Sequence, residues 1–281
     1  MARKIGIIGA NGFVGKNLKK ELEMHGHIIS RISIRSKKLR INDNLISNDS
    51  RNKIGQEMDM IIDCSTPIST NEKQADYLKE AKDFIEIINS INFQGDYALF
   101  SSVSVYSDKE NRIEAETNLK PWEDYGKSKL LKEIELKKII KSNNKNANFH
   151  ILRASGILGR DMPNTFIKRI TDNAIRNKEI YIYSSDALFN CIIHIDQIID
   201  ITKKLINENE SKILILGSKD PITLKELAST IKDYTASESK LIEKKMGREP
   251  FTINTDTLNE YKSLILSTKD TILNFLQNYT S

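Results

Sequence analysis

The sequence predicts an α/β fold, a doubly wound parallel sheet with a smaller C-terminal part interleaved with it. Three observations carry that expectation. The chain opens on an apolar run, Lys4-Ile5-Gly6-Ile7-Ile8, which breaks into glycines at Gly9, Gly12 and Gly15 and then into helical composition. Short apolar runs alternate with longer segments of helical periodicity over most of the 281 residues. No Pro/Gly-rich linker divides the chain, so its parts share one core.

Strand, glycine turn and helix, in that order, present a helix N-terminus to an anion. Gly9 permits the tight turn, Gly12 lets backbone approach a pyrophosphate, and Gly15 lets helix and strand pack closely. The helix that follows has leucines one turn apart at Leu18 and Leu22. One exposed charge at such an N-terminus gains only about 0.3–1 kcal/mol. The larger gain comes from several N–H groups aimed at one phosphate. This pattern is that of a Rossmann-type unit, and it makes Gly9, Asn11, Gly12, Phe13, Val14 and Gly15 candidate cofactor contacts. The same spacing also occurs in plain surface turns, and the later motifs separate the two.

Ile28–Ile34 reads as the second strand, ending in Arg35-Ser36-Lys37-Lys38. An NAD site usually has a carboxylate here that accepts from the ribose 2′-hydroxyl. This stretch offers a guanidinium, a hydroxyl and two ammonium groups instead, which suit a 2′-phosphate. NADP is therefore expected, with NAD as the alternative, and Arg35 and Ser36 are its candidate contacts.

Residues 41–56 read as polar and irregular, with a weak third strand near Leu45-Ile46; Asp49 is there a loop aspartate or a partner for an adenine amino group. Met58–Asp63 is a buried strand running into Cys64-Ser65-Thr66, whose small side chains leave room for a ribose or nicotinamide. Helical periodicity covers 71–92 through Ala75, Leu78, Phe84, Ile85, Ile87 and Ile88. Tyr97–Phe100 is the next strand, ending in Ser101-Ser102-Val103-Ser104-Val105-Tyr106.

Tyr125-Gly126-Lys127-Ser128-Lys129 then opens a helix through about residue 141. Its Y-x-x-x-K spacing puts Tyr125 and Lys129 on one face, one turn apart. Alone that spacing is common. Behind a glycine loop and a serine at a strand end it is specific.

The chain resembles the extended short-chain dehydrogenase/reductases, the NAD(P)-dependent epimerase/dehydratase branch that works largely on nucleotide sugars. The residues that carry the resemblance are Gly9–Gly15, Phe100–Tyr106, Tyr125–Lys129, Leu152–Gly159 and Ile192–Asp196. It spans nearly the whole chain and fades after about residue 200. It implies that Ser102 is the catalytic serine, Tyr125 the acid/base, and Lys129 the holder of the nicotinamide ribose. Cys64, Ser65, Thr66 and Ser101 then line the cofactor. Leu158 stands where the family often has Tyr, Arg160 where Pro is usual, Ser184-Ser185-Asp186 where a glycine turn is found, and Asn190 where many members carry Arg. These departures lie on the substrate side. Asn190 and Arg248 are the candidate substrate contacts, Arg248 for a diphosphate, and family members often pair as homodimers through the two long helices.

The chemistry explains the residue types. Hydride transfer to a ketone builds charge on the carbonyl oxygen, which must receive a proton. A phenol with its pKa near 10 is a slow partner at neutrality. An ammonium about 4 Å away favours the phenolate by about 4 kcal/mol at an effective dielectric of 20, as a ceiling. Lys129 is expected to supply it. A 4-ketoreductase making a nucleotide-linked deoxy sugar leads. An epimerase or dehydratase that retains NAD is the alternative, and a non-catalytic NADP-sensing regulator is the reading from another class.

Later strands are expected at Phe149–Arg153 and Lys212–Gly217, with helices at about 164–177, 196–207, 223–234 and 268–277. Residues 1–160, with the late strand at about 210–217, form the cofactor domain; 161–281 are mainly substrate-binding. Composition excludes other classes. The net charge of +5 comes from lysines, Lys127, Lys129 and Lys132 among them, that are dispersed among glutamates and read as a solvated surface, not a nucleic-acid platform. No apolar run approaches a membrane span, and residues 4–8 read as a strand, not a signal segment. Cys64 and Cys191 read as two buried thiols of a reducing compartment, so the cytoplasm is expected. No Cys/His spacing suits zinc. His25 and His27 read as surface residues, His194 as a hydrogen-bonded structural one, and Trp122 as packing the start of the Tyr125 helix.

Overall fold

The computed structural model of the protein describes residues 2–66, 76–244 and 250–280. Two units are each assembled from separate stretches of chain. The first takes Met1–Ser107, Asn118–Arg153 and Thr202–Leu214, the second Asp108–Thr117, Ala154–Ile201 and Ile215–Ser281.

The first unit begins with β1 (Lys4–Ile8), α1 (Phe13–Met24) and β2 (Ile28–Arg35), followed by β3 (Lys38–Ile41), β4 (Asn44–Leu45) and α2 (Arg51–Glu57). Next come β5 (Met60–Asp63), α3 (Tyr77–Ile91), β6 (Asp96–Ser102) and α4 (Asp124–Asn143). With Phe149–Ala154 and Ile213–Leu216 these strands form an eight-stranded sheet. Its order is Ile213–Leu216, Phe149–Ala154, β6, β5, β1, β2, β3, β4. β1 pairs in parallel with both β2 and β5, and β5 with β6. The strand order therefore reverses at β1, which makes its carboxyl end the switch point where such sheets bind ligands.

The sequence of each element accounts for its place. β5 and β6 are near-continuous apolar runs, buried along almost their whole length, because helices cover both faces of a parallel sheet. α1 buries Leu18 and Leu22 at i, i+4. α3 buries Phe84, Ile87, Ile88 and Ile91; it starts at Asp76, whose carboxylate accepts from the Lys79 N–H, and ends on Asn92 at φ +50°. Together with Ile8, Ile32, Leu39, Ile61, Leu136 and Phe149, these side chains form a core on one face of the sheet. The inward face of α4 is unusual. It is polar for its first turns (Ser128, Lys129, Lys132, Glu133) and apolar only from Leu136 and Ile140.

Two regions differ from the sequence expectation. In place of an irregular stretch with a lone third strand, β2, β3 and β4 form an antiparallel meander. Two-residue turns at Ser36-Lys37 (φ 47° and 58°) and Asn42-Asp43 (φ 47° and 72°) join them. Positive φ at both central residues matches the twist of paired strands, and buried Leu39 anchors the return. Asn-Asp is a readable turn, but Ser-Lys is not, so the first hairpin was hidden. Asp49 lies exposed in a 3-10 turn ahead of α2. The second helix, expected over 71–92, is observed from Tyr77 to Ile91; Ala75 lies outside the described residues.

In the second unit, helices Phe166–Ile175 and Leu224–Tyr234 are capped by the hydroxyls of Thr165 and Thr223, and Thr268–Thr280 is the last helix. Its strands pair in twos: Gly156–Leu158 with Ile192–His194, Ile180–Tyr183 with Leu241–Lys244, and Arg112–Ile113 with Thr252–Ile253 in parallel, and Leu188–Phe189 with Ile222–Thr223 antiparallel. Cys64, half-buried, and Cys191, buried, are not joined in a disulfide, and the Cys191 thiol donates to the Phe251 carbonyl oxygen at 2.9 Å. Among the described residues no helix is long and apolar enough to cross a membrane, and no cluster of His, Cys, Asp or Glu could hold a metal ion.

Candidate active site

The glycine loop leaves β1 at Gly9, whose φ of +78° is a conformation L side chains rarely adopt. A Cβ on Gly15 would stand 2.2 Å from the Gly9 carbonyl oxygen, so only glycine lets α1 lie this close to the strand end. The Gly12 N–H donates to that same oxygen at 2.9 Å. Gly12 caps α1 without a side-chain hydrogen bond. The first-turn N–H groups, at Phe13 and Val14, thus have neither an intrahelical acceptor nor a capping side chain. A cradle of backbone donors at a helix N-terminus fits the pyrophosphate of a dinucleotide.

Beside it, β5 ends on a buried charge. The Asp63 carboxylate is 2.6 Å from the Lys132 ammonium and accepts from the Ser65 N–H at 2.9 Å, the Ser65 hydroxyl at 2.6 Å and the Tyr97 hydroxyl at 3.3 Å. Lys129 donates to the carbonyl oxygens of Ser65 and Phe100, both at 3.0 Å. Lys132 also donates to Ser65 Oγ at 3.1 Å and lies 3.7 Å over the Phe84 ring. All three polar atoms of Ser65 are therefore held by Asp63, Lys129 and Lys132. Burial works against the Asp63 carboxylate, but the two ammonium groups outweigh it and hold its pKa below the ordinary range. Burial pushes the pKa values of Lys129 and Lys132 down and that of the neighbouring Cys64 thiol up.

Tyr125 is the second residue of α4. The hydroxyls of Ser102, at the end of β6, and of Thr66 lie close enough to its phenol to favour the ionised form. Ser102 is buried; its Oγ accepts from the Ser104 N–H at 3.1 Å. Tyr77 meets the Tyr125 ring edge-on at 5.7 Å between centroids. Burial raises the phenol pKa, and Ser102, Lys132 and Thr66 oppose it without reversing it. Lys129 is anchored on two carbonyl oxygens with its nitrogen 5.8 Å from the Tyr125 ring centroid, and the Lys132 ammonium also favours the phenolate. One sequence expectation is corrected here. Lys129 and Lys132 are buried, not members of a solvated surface. Lys132 was legible only in hindsight: it is three residues past Lys129, on the same helix face, and the apolar run Met60–Asp63 ends on a carboxylate that needs a cation.

Behind these groups, the Arg153 guanidinium pairs with Glu133 through Nη2 at 2.8 Å and Nε at 3.2 Å and donates to the Tyr106 hydroxyl at 2.8 Å. This buried network ties α4 to the strand Phe149–Ala154. The Ser101 hydroxyl is buried without a partner among the described residues.

The remaining expected residues are placed elsewhere. Arg35 ends β2, exposed, and Ser36 forms the turn beyond it. Lys37 turns away to α3, 2.7 Å from Glu86 and 3.3 Å from Asp83. Asn190 is buried in the second unit. Its amide nitrogen donates to the carbonyl oxygens of Ser218 and Ile253, both at 2.8 Å, and its oxygen accepts from the Ile253 N–H at 2.7 Å. With both amide hydrogens spent, Asn190 is a structural tie, which corrects its assignment to substrate. Arg248 lies outside the described residues. Trp122, just ahead of α4, is half exposed. His194 is buried, its Nδ1 accepting from the Asp196 N–H at 3.3 Å and its Nε2 without a partner among the described residues.

The profile of the NAD dependent epimerase/dehydratase family matches residues 5–215. No curated protein sequence matches the chain. Solved structures similar to it include a UDP-N-acetylglucosamine 4-epimerase from Bacillus cereus, at 18% identity over 98% of this chain and 99% of that one, with a TM-score of 0.73. A dTDP-4-dehydrorhamnose reductase from Bacillus anthracis in complex with NADP has the same identity and TM-score, over 99% of both chains. A UDP-glucose 4-epimerase from Thermus thermophilus in complex with NAD reaches a TM-score of 0.76 at 10% identity, again over 99% of both chains. At these identities the likeness is one of fold.

Proposed function

The chain belongs to the NAD dependent epimerase/dehydratase family, and from that premise we propose that it is an NADP-dependent oxidoreductase that reduces the 4-keto group of a nucleotide-linked deoxy sugar. The observation that carries the reading is the half-buried phenol of Tyr125, close to the Ser102 hydroxyl at the carboxyl end of the sheet beside the open N-terminus of α1. The bound dinucleotide supplies the hydride. Ser102 donates to the substrate carbonyl oxygen and sets its distance from Tyr125. The Tyr125 hydroxyl, its pKa held above the ordinary phenol value by burial, is protonated at neutral pH and gives its proton to the oxygen as negative charge develops there. Lys129 and Lys132 keep the segment Cys64–Thr66 in place and add positive potential on that side of the phenol. A similar fold in a reductase that holds NADP supports the choice of cofactor and reaction.

An epimerase or dehydratase that keeps NAD through each turnover is the second reading, favoured by the fold shared with two 4-epimerases. Titration of the cofactor-stripped protein with NADPH and NADH, followed by a screen of UDP- and dTDP-linked 4-keto sugars for NADPH oxidation, separates the two. Tight, exchangeable NADPH with stoichiometric oxidation is the expected result. Retained NAD with no preference for the phosphate would move the assignment to the epimerase, and binding of neither would leave a regulatory role for the loop.

A further inference from the structure

The antiparallel extension of the sheet beyond β2 places cations where no sequence motif announced them. The parallel register sets Ile32 opposite Ile8, and the Gly9 N–H donates to the Ile32 carbonyl oxygen at 3.3 Å. Ser33 is thus the residue of β2 level with the glycine loop, where the adenosine ribose of a dinucleotide lies against such a sheet. A carboxylate at this level would favour a free 2′-hydroxyl; this chain has a half-buried hydroxyl. The strand runs two residues further, about 7 Å at 3.3 Å per residue, before it turns.

On the return, Arg40 pairs with Ser33, Leu39 with Ile34, and Lys38 with Arg35. Directly paired residues share a face of the sheet. Leu39 and Ile34 pack in the core that includes α3 and α4. Ser33, Arg40, Arg35 and Lys38 therefore share the other face, the one on which the β1–α1–β2 crossover lies. Nearby cations are committed: Arg31 to Asp43 at 2.6 Å, and Lys37 to Glu86 and Asp83. Arg35, Lys38 and Arg40 make no ion pair with any described carboxylate.

We propose that Arg40, presented by β3 directly opposite Ser33, is a principal contact for the 2′-phosphate of NADP, with Ser33 beside it and Arg35 further out, so that the hairpin is the element that selects the phosphorylated cofactor. The inference rests on the NADP reading above and shifts the determinant from the end of β2 to a residue on the added strand. Ser33 and Arg40 meet the phosphate at the level of the loop; Ser36, in the turn, lies beyond it.

Kd values for NADP+, NAD+ and 2′,5′-ADP, measured by calorimetry on the full chain, test it. Arg40→Ala is expected to weaken NADP+ and 2′,5′-ADP about 10–100-fold and NAD+ less than about 2-fold, the size expected for a lost hydrogen bond to a charged group. Arg35→Ala is expected to do less, and Ser33→Asp to reverse the preference. If the unaltered protein prefers NADP+ and Arg40→Ala keeps that preference, the inference fails while the cofactor reading stands. If the unaltered protein binds NAD+ as tightly as NADP+, both fail. Equal loss of both dinucleotides in Arg40→Ala and again in Arg40→Gln would assign the residue to the fold of the hairpin and overturn its role at the phosphate.

Discussion

The carboxyl edge of the sheet is built on two opposite electrostatic plans. Where β5 meets α4, Asp63, Lys129 and Lys132 are buried and satisfy one another and Ser65. Where β2 meets β3, Arg35, Lys38 and Arg40 are exposed and unmatched by any described carboxylate. A buried charge without a partner is so costly that burying three of them fixes the geometry of everything they touch. An exposed charge is solvated already, so it constrains little and remains available to an anion. The first plan suits atoms that must be held for chemistry, and the second suits recognition of a phosphate.

The sharpest test of the buried plan is Tyr125→Phe. Removing the proton donor is expected to lower turnover by about 10²–10⁴-fold while leaving the Kd for NADPH within about 2-fold. Unchanged NADPH oxidation with a 4-keto nucleotide sugar would falsify the assignment.

Next in size is Lys132→Met, which leaves the Asp63 carboxylate buried and unpaired. A loss of about 3–5 kcal/mol in urea unfolding is expected, and most of it should return in the double variant Asp63→Asn/Lys132→Met. If the single variant is as stable as the parent, the pair is not structural. The matching substitutions at Arg35 and Arg40 are expected to leave the unfolding midpoint unchanged, within about 0.5 kcal/mol.

Buried titratable groups also make stability depend on pH. Burial lowers the pKa of His150 from 6.5 to about 4. The folded ring is then neutral where the unfolded one takes up a proton. Stability is therefore complete above pH 6.5 and falls as the pH drops toward 4, by about 3 kcal/mol as a ceiling. Asp63, its pKa held low by the two lysines, adds a further loss below that range, as the pH falls through its folded value. His150→Asn keeps an acceptor for the Lys212 N–H and should flatten the slope between pH 4 and 6.5; an unchanged slope would place the titration elsewhere.

The smallest effect is that of salt. Raising ionic strength from about 0.05 to 0.5 M should weaken NADP+ by about 10-fold and NAD+ much less, because exposed cations are screened within a few ångströms at the higher value. Equal weakening of the two would mean that the hairpin cations do not meet the 2′-phosphate.

Much of this molecule was legible before its structure. Gly9, Gly12 and Gly15 announce the loop because each answers a local demand within a few residues, and Leu18 with Leu22, or Phe84 with Ile87 and Ile88, declare buried helix faces by their period alone. Tyr125 and Lys129 were found the same way, one helical turn apart. What those residues touch was not legible. The pairing of Lys132 with Asp63, the spending of the Asn190 amide on Ser218 and Ile253, and the alignment of Arg40 with Ser33 all join stretches whose adjacency depends on which elements become neighbours. Local period, turn and spacing determined the strands, the helices and the identity of the catalytic candidates. Only the tertiary structure decided which lysine pairs with the buried Asp63 and which arginines stand without an ion pair to a described carboxylate at the edge, because desolvation and register arise when distant segments meet.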